Sequence, residues 1–297
     1  MCEKKNFWLA GFFDGEGSNS FSQMSPSVNI VNSDPKSIAY CLDIFRENGI
    51  EAKLTERAFP SKTQKIKKVR WDIFINQAEE AYKASKFLEK YSQGKKEQML
   101  LIQRYMKKRK NTKRFHKIMR FLNQTNNIII YDKNILEEKI GMKINYNKIV
   151  TAEDKNNLII KTNDFNEVEY LAGVFDAEGN VGINKRKNKH RNSERYTPIL
   201  SIVNTNKKIV IAICSVLKNN NIGFHIQQRQ GRNRARWDIS VSGIKRTLTL
   251  LNLIGNKLIS KREQADILHS YVIERLKDPY CINDIGFAYK KAIESLR

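Results

Sequence analysis

A chain of 297 residues is long enough for two ordinary cores or for one duplicated unit. Its 54 Lys and Arg against 31 Asp and Glu leave a formal net charge of +23, more than solubility requires, and the commonest partner for such an excess is nucleic acid. Membrane binding is disfavoured because no apolar run nears the roughly 20 residues of a spanning helix, and the dispersed Cys2, Cys41, Cys214 and Cys281 offer neither a disulfide frame nor a zinc spacing.

In chain order, the first patterned segment is Trp8-Leu-Ala-Gly-Phe-Phe-Asp-Gly-Glu16-Gly17, an apolar helix with a glycine stop after its glutamate. What precedes it leaves no room for a signal or transit peptide, so the expected location is the cytoplasm or the organelle matrix where the chain is translated. Period-2 alternation follows around Val28 and Ile30, and Pro35 to Asn48 then reads as an amphipathic helix closed by Asn48-Gly49. Further strands carry Ala52 and Leu54, then Trp71, Ile73 and Ile75, with the alternation turning Trp71 into the core. Helices are expected near Gln77 to Tyr91 and Lys96 to Lys110. From residue 107 to 167 lies a basic linker with some local structure, opening on Lys107-Lys-Arg-Lys-Asn-Thr-Lys-Arg114, which is either a solvated helix face or a DNA contact.

The chain then repeats itself. Tyr170-Leu-Ala-Gly-Val-Phe-Asp-Ala-Glu178-Gly179 matches the first helix, Ile202-Val-Asn204 matches Ile30-Val-Asn32, Arg236-Trp-Asp-Ile239 matches Arg70-Trp-Asp-Ile73, and Arg262-Glu-Gln264 matches Lys96-Glu-Gln98. Collinear matches across half a chain mean an internal duplication, with repeats at 1–106 and 168–297. The second repeat carries Leu200 and Ile202, Phe224 and Ile226, and Trp237, Ile239 and Val241 as its apolar sets, a helix over Asn206 to Asn220 closed by Asn220-Asn221, and helices near Gly243 to Leu253 and Lys261 to Lys277. Changes of spacing place longer loops at Phe59 to Lys68 in the first copy and Lys185 to Arg195 in the second. Each copy is an αββαββα unit, so the fold class is α+β, with helices over the apolar face of each sheet and the other face open.

Gly11 and Gly15, and likewise Gly173 and Ala177, give each motif helix a narrow side on which two backbones can approach. Small residues at that spacing are common and by themselves imply only a close crossing. Glu16 and Glu178 imply more, because each sits beyond a small position at the C-terminal, negative end of a helix dipole, facing its counterpart. A cation relieves that arrangement. Two carboxylates with the backbone carbonyls of Gly15 and Ala177 form a hard oxygen site suited to Mg²⁺, with Mn²⁺ or Ca²⁺ able to replace it in binding. Such a site activates water against a phosphodiester.

The two motif segments resemble the signatures of LAGLIDADG homing endonucleases, and with the collinear repeat the resemblance spans nearly all of the chain outside the linker. It implies a single-chain monomer with pseudo-twofold symmetry, motif helices between the repeats, and sheets laid as a saddle over double-stranded DNA. It further implies one catalytic acid per motif, Glu16 and Glu178, and cleavage of both strands across the minor groove to leave short 3′ overhangs. The family's basic residue ahead of the last helix of each repeat falls on Lys95 and Lys261, for which ordinary lysines of a helix N-terminus are the alternative. Asp34 and Asn206 correspond to a polar position near the metals. Asp14 and Asp176 are expected to be structural.

Alternation sets the open faces. Ser18, Ser20 and Ser22, then Lys53, Thr55 and Arg57, then Arg70 and Asp72 point outward in the first copy. In the second copy the set is Asn180, Asn184 and Arg186, then His225, Gln227 and Arg229, then Arg234, Arg236 and Asp238. Arg, Asn and Gln pair bidentately with guanine and adenine edges in the major groove. Because the faces differ, the target is expected to be long and asymmetric, with the basic loops holding phosphates. Intron RNA in a maturase role, and DNA binding without cleavage, are the alternatives, although an acid in each motif argues against the second.

Overall fold

The computed structural model describes residues 3–22, 25–59, 68–108, 167–188, 193–230, 235–278 and 284–296. In the first repeat α1 (Glu3–Glu16) runs directly into the hairpin β1 (Gly17–Ser22) and β2 (Ser25–Asn32), followed by α2 (Pro35–Glu47), β3 (Lys53–Phe59), β4 (Lys68–Ile75), α3 (Ala78–Glu89) and α4 (Lys96–Lys108). The second repeat has α5 (Glu167–Glu178), β5 (Gly179–Asn188), β6 (Ser193–Asn204), α6 (Lys207–Asn219), β7 (His225–Gln230), β8 (Ala235–Ser242), α7 (Ile244–Ile254), α8 (Arg262–Lys277) and α9 (Asp284–Ser295). No helix among the described residues is long and apolar enough to cross a membrane.

Both sheets are antiparallel, ordered β1-β2-β4-β3 and β5-β6-β8-β7. Their registers coincide. Ile30 lies between Gly17 and Ile73, and Ile202 between Gly179 and Ile239. One face of the first sheet therefore buries Val28, Ile30, Ile73 and Ile75, and that of the second buries Leu200, Ile202, Ile239 and Val241. Each such side chain contributes about 1.5–3 kcal/mol by leaving water.

The helices after β2 and β6 are set by their termini. Asp34 caps α2, its Oδ2 accepting from Ser37 N at 2.7 Å with Pro35 opening the helix, and Asn206 caps α6 by accepting from Lys208 N at 3.0 Å. Both chains leave their helix through the left-handed region, at Gly49 (φ 68°) and Asn221 (φ 55°), as the Asn-Gly and Asn-Asn stops anticipated.

Three expectations are revised. Leu54 was assigned to the core but is 47% exposed, and Ala52 falls just before β3. The reason is that β3 is an edge strand, while α2 and α3 lie on β2 and β4. Trp71, on the inner strand β4, is only half-buried, whereas its counterpart Trp237 on β8 is fully buried. The extra length around Lys185 to Arg195 mostly extends strands, pairing Lys185 with Tyr196 and Asn188 with Ser193. The sequence reading also lacked α9. This helix packs on β5 and α8, and Gly286 is its closest approach: a Cβ there would lie 2.6 Å from the Tyr196 ring.

The chain divides into two compact units. Among the described residues, the first holds the elements of repeat one together with α5 as far as Ala177, and the second holds those from Glu178 onward. The second motif helix, as far as Ala177, thus groups with the elements of the first repeat.

Candidate active site and nucleic-acid interface

Within the first unit α1 and α5 cross backbone against backbone. A methyl group on Gly11 would run into Tyr170 O and stand 3.0 Å from Val174 N. Reciprocally, one on Gly173 would run into Trp8 O and stand 2.9 Å from Phe12 N. Glycine is required at both places by the closeness of the backbones.

Two buried hydrogen bonds lock this crossing, and they exchange the same motif positions between the helices. Trp8, opening the first motif, donates Nε1 to Asp176 Oδ2 at 3.1 Å, and Tyr170, opening the second, donates its hydroxyl to Asp14 Oδ2 at 2.8 Å. Burial, then the charge of Asp14, pushes the Tyr170 hydroxyl well above its ordinary pKa, so it stays a protonated donor. Asp14 and Asp176 are structural, as expected. An aromatic residue at the head of each motif was the available signal for their partners, and sequence reasoning passed over it.

Asp14 does a second job. Its carboxylate also accepts from Ser92 Oγ (2.6 Å), Gln93 N (2.8 Å), Gly94 N (2.8 Å) and Lys95 N (3.2 Å), which fixes the turn ahead of α4 against the end of α1. Lys95 is thereby placed so that its Nζ donates to Phe13 O, Asp14 O and Gly17 O at 2.7, 2.7 and 2.6 Å. Those carbonyls are the unsatisfied, electronegative end of the motif helix, and a cation is the donor suited to them. The ammonium thus sits on the backbone that brackets Glu16.

Glu16 is half-buried, and Asn32 Nδ2 donates to its Oε1 at 3.1 Å. Asn32 is itself oriented by accepting from Asp34 N at 2.8 Å. Here the polar position assigned to Asp34 is corrected: Asp34 spends its carboxylate on the α2 cap, and Asn32 is the side chain on the acid. In the second repeat Asn206 is likewise a cap, and the buried Asn204 accepts from Asn206 N at 2.7 Å. The repeated Ile-Val-Asn triplet contained this signal. Gly15 and Ala177 are half-buried, Glu178 is the exposed last residue of α5, and Lys261 immediately precedes α8. The thiol of Cys41 is raised by burial and then by Asp176 and Asp34, so it remains neutral.

With this geometry in place, comparison with solved structures is decisive for the fold. I-LtrWI, described as a LAGLIDADG homing endonuclease bound to target DNA, superposes with a TM-score of 0.64 at 14% identity, covering 99% of this chain and 98% of that one. The chain has the LAGLIDADG homing-endonuclease fold. I-SmaMI bound to cleaved DNA (TM-score 0.65, 13% identity, 98% and 95% covered) and I-AabMI bound to uncleaved DNA (0.61, 17%, 98% and 98%) share it. No protein-family profile matches the sequence, and no curated protein does. At such identities the LAGLIDADG likeness resides in backbone arrangement, and the particular side chains are this chain's own.

Each LAGLIDADG sheet keeps its helix-free face polar. Ser18, Lys53, Thr55, Arg57 and Arg70 are exposed in the first, and Asn180, Asn184, Arg186, Arg229 and Arg236 in the second. His225 and Gln227 are half-buried, as is Ser20, whose hydroxyl pairs with that of Ser27 at 2.7 Å. Asp72 and Asp238 depart from expectation. Their carboxylates are covered by arginines, Arg57 Nε at 2.9 Å from Asp72 Oδ2 and Arg229 Nε at 2.7 Å from Asp238 Oδ2, so they are not free to accept from a base. The Ser22 side chain, Arg234, nearly all of the Phe59 to Lys68 segment and the greater part of the 107–167 linker lie outside the described residues.

Proposed function

We propose that this protein is a sequence-specific, metal-dependent endonuclease that cuts both strands of a long, asymmetric duplex DNA site. One observation carries the reading: an acid, Glu16, ends the close-packed motif helix with Asn32 orienting its carboxylate and Lys95 seated on the carbonyls around it. A purely structural crossing needs Gly11, Gly173, Asp14 and Asp176, but it does not need Glu16. The relatives add support in their own descriptions, since I-SmaMI is recorded with an uncleaved DNA target in the presence of calcium ions and also with cleaved DNA.

The donor chemistry fits a hard divalent cation. Glu16 with the carbonyl of Gly15, and Glu178 with that of Ala177, offer oxygen donors only, which suits a hard ion that keeps several waters. Mg²⁺ bound there would supply an activated water and stabilise the leaving oxygen, with Mn²⁺ or Ca²⁺ replacing it in binding. The protein's residues do the remaining work. Asn32 holds Glu16 in one orientation, Lys95 neutralises the helix end against which an anionic phosphate must come, and Lys261 is assigned the same duty in the second repeat. The open sheet faces read bases in the major groove, and each acid serves one strand, with cleavage across the minor groove leaving short 3′ overhangs.

Purified protein incubated with Mg²⁺ and a library of long duplexes is expected to cut one sequence. Glu16→Gln and Glu178→Gln should each abolish cleavage of a strand while binding in Ca²⁺ persists. Absence of cleavage of any duplex would overturn the proposal.

A further inference from the structure

The two open sheet faces differ at most positions, Lys53 against His225 and Thr55 against Gln227, yet they share one three-residue device at one point of the register. Arg57 stands opposite Arg70 with Asp72 one row further along β4, and Arg229 stands opposite Arg236 with Asp238 in the same place on β8. In both, the Asp Oδ2 takes the Arg Nε, at 2.9 and 2.7 Å, and Arg236 Nε approaches the other oxygen of Asp238 at 3.7 Å. The arginine side chains are 59% and 54% exposed, their carboxylates 11% and 18%. The cation is therefore presented outward and the anion kept beneath it.

This device suits one task better than another. A phosphate contact rewards net positive charge, and an adjacent carboxylate removes it. A base contact rewards a guanidinium held in one plane, because discrimination depends on two parallel hydrogen bonds. Stability is a weak motive, since exposed ion pairs contribute little. Pinning Nε also selects the edge on offer. It leaves the Nη1/Nη2 fork to match guanine O6 and N7.

We infer that Arg57 and Arg229, each held by its aspartate, are guanine readers, one in each half of the target. This rests on the DNA-binding reading proposed above. Asp72 and Asp238 are positioning residues that act through the arginines and touch no base.

The test is selection of a randomised duplex library by the full chain in Ca²⁺, with Arg57→Gln, Arg57→Lys and Asp72→Asn compared with the parent. The parent should enrich a site with a guanine at which Arg57→Gln loses about tenfold to a hundredfold of discrimination, other positions being unchanged. Asp72→Asn should relax the same position without uniform loss. Replacing that guanine by 7-deazaguanine should weaken the parent but not Arg57→Gln, a readout that requires no change at the buried Asp72. Arg57→Lys, which keeps charge without the fork, should behave as Arg57→Gln at that base. Uniform weakening across all positions, or rescue by Arg57→Lys, would make Arg57 a phosphate contact and overturn the inference while leaving the endonuclease reading intact. A parent that enriches no sequence would overturn both.

Discussion

Replacing Asp14 by Asn tests the architecture at its most connected point. The carboxylate is 3% exposed and accepts five hydrogen bonds, from Ser92 Oγ, Gln93 N, Gly94 N, Lys95 N and Tyr170 OH. An amide can keep its oxygen at the Oδ2 position and still accept from Gln93 N, Gly94 N and Tyr170 OH. Each of those bonds falls from a charged to a neutral acceptor, a loss of about 1 kcal/mol apiece. The NH₂ group then replaces Oδ1. Ser92 can turn its hydroxyl to accept, but Lys95 N meets another donor and keeps only its 3.1 Å bond to Ser92 Oγ, at a penalty of about 1–2 kcal/mol. Against roughly 4–5 kcal/mol lost stands some relief from no longer burying a charge, so a net destabilisation of about 3 kcal/mol is expected. That is a large share of a typical stability of about 5–15 kcal/mol. In equilibrium urea unfolding followed by fluorescence and circular dichroism, with a slope of about 2 kcal/mol/M, the midpoint should fall by roughly 1.5 M. A fall under about 0.5 M at unchanged slope would refute the reasoning.

Gly11→Ala and Gly173→Ala should each destabilise the first unit by at least about 1–3 kcal/mol, because the added methyl meets backbone that cannot step aside; an unaltered melting temperature would contradict the crossing. Lys95→Met should lower stability by about 2 kcal/mol by stripping three carbonyls of their cationic donor, and should abolish single-turnover cleavage while binding in Ca²⁺ persists. Arg at position 95 should not rescue it, since a planar fork cannot meet three carbonyls converging on one point. Tyr170 has a folded-state pKa raised above that of the unfolded chain, so its contribution is complete below about pH 10 and is lost as pH climbs through the raised value. Melting temperature measured from pH 8 to 11 should therefore decline less steeply for Tyr170→Phe than for the parent, although the variant starts lower because Asp14 loses a donor. Equal slopes would count against it.

The duplication, the order of elements, the helix stops at Gly49 and Asn221 and the two close-approach glycines were all visible in the sequence, because each is written in local pattern: period, small residues and turn chemistry. Leu54 was misassigned because alternation names a face but not whether the strand is at an edge, and the topology leaves β3 outside the cover of α2 and α3. Asp34 was confused with Asn32 since both are polar and lie near the end of β2. Only the geometry shows one capping a helix and the other bonded to Glu16. Asp72 and Asp238 passed as exposed acids because sequence alternation cannot reveal that an arginine from the next strand lies over them.

By itself the sequence determined that the chain is two copies of one α+β unit, each bearing an acid after a small-residue helix, and that its charge calls for a polyanion. Tertiary structure alone decided that Asn32 serves Glu16 and how Lys95, already singled out by the family resemblance, is held beside it. Lys95, Asn32 and the Trp8 and Tyr170 cross-links come from segments far apart in the chain, and their roles depend on distances that exist only once two helices have met at glycine. A hydrogen bond needs its partners within about 3 Å, a condition that residue order alone does not encode.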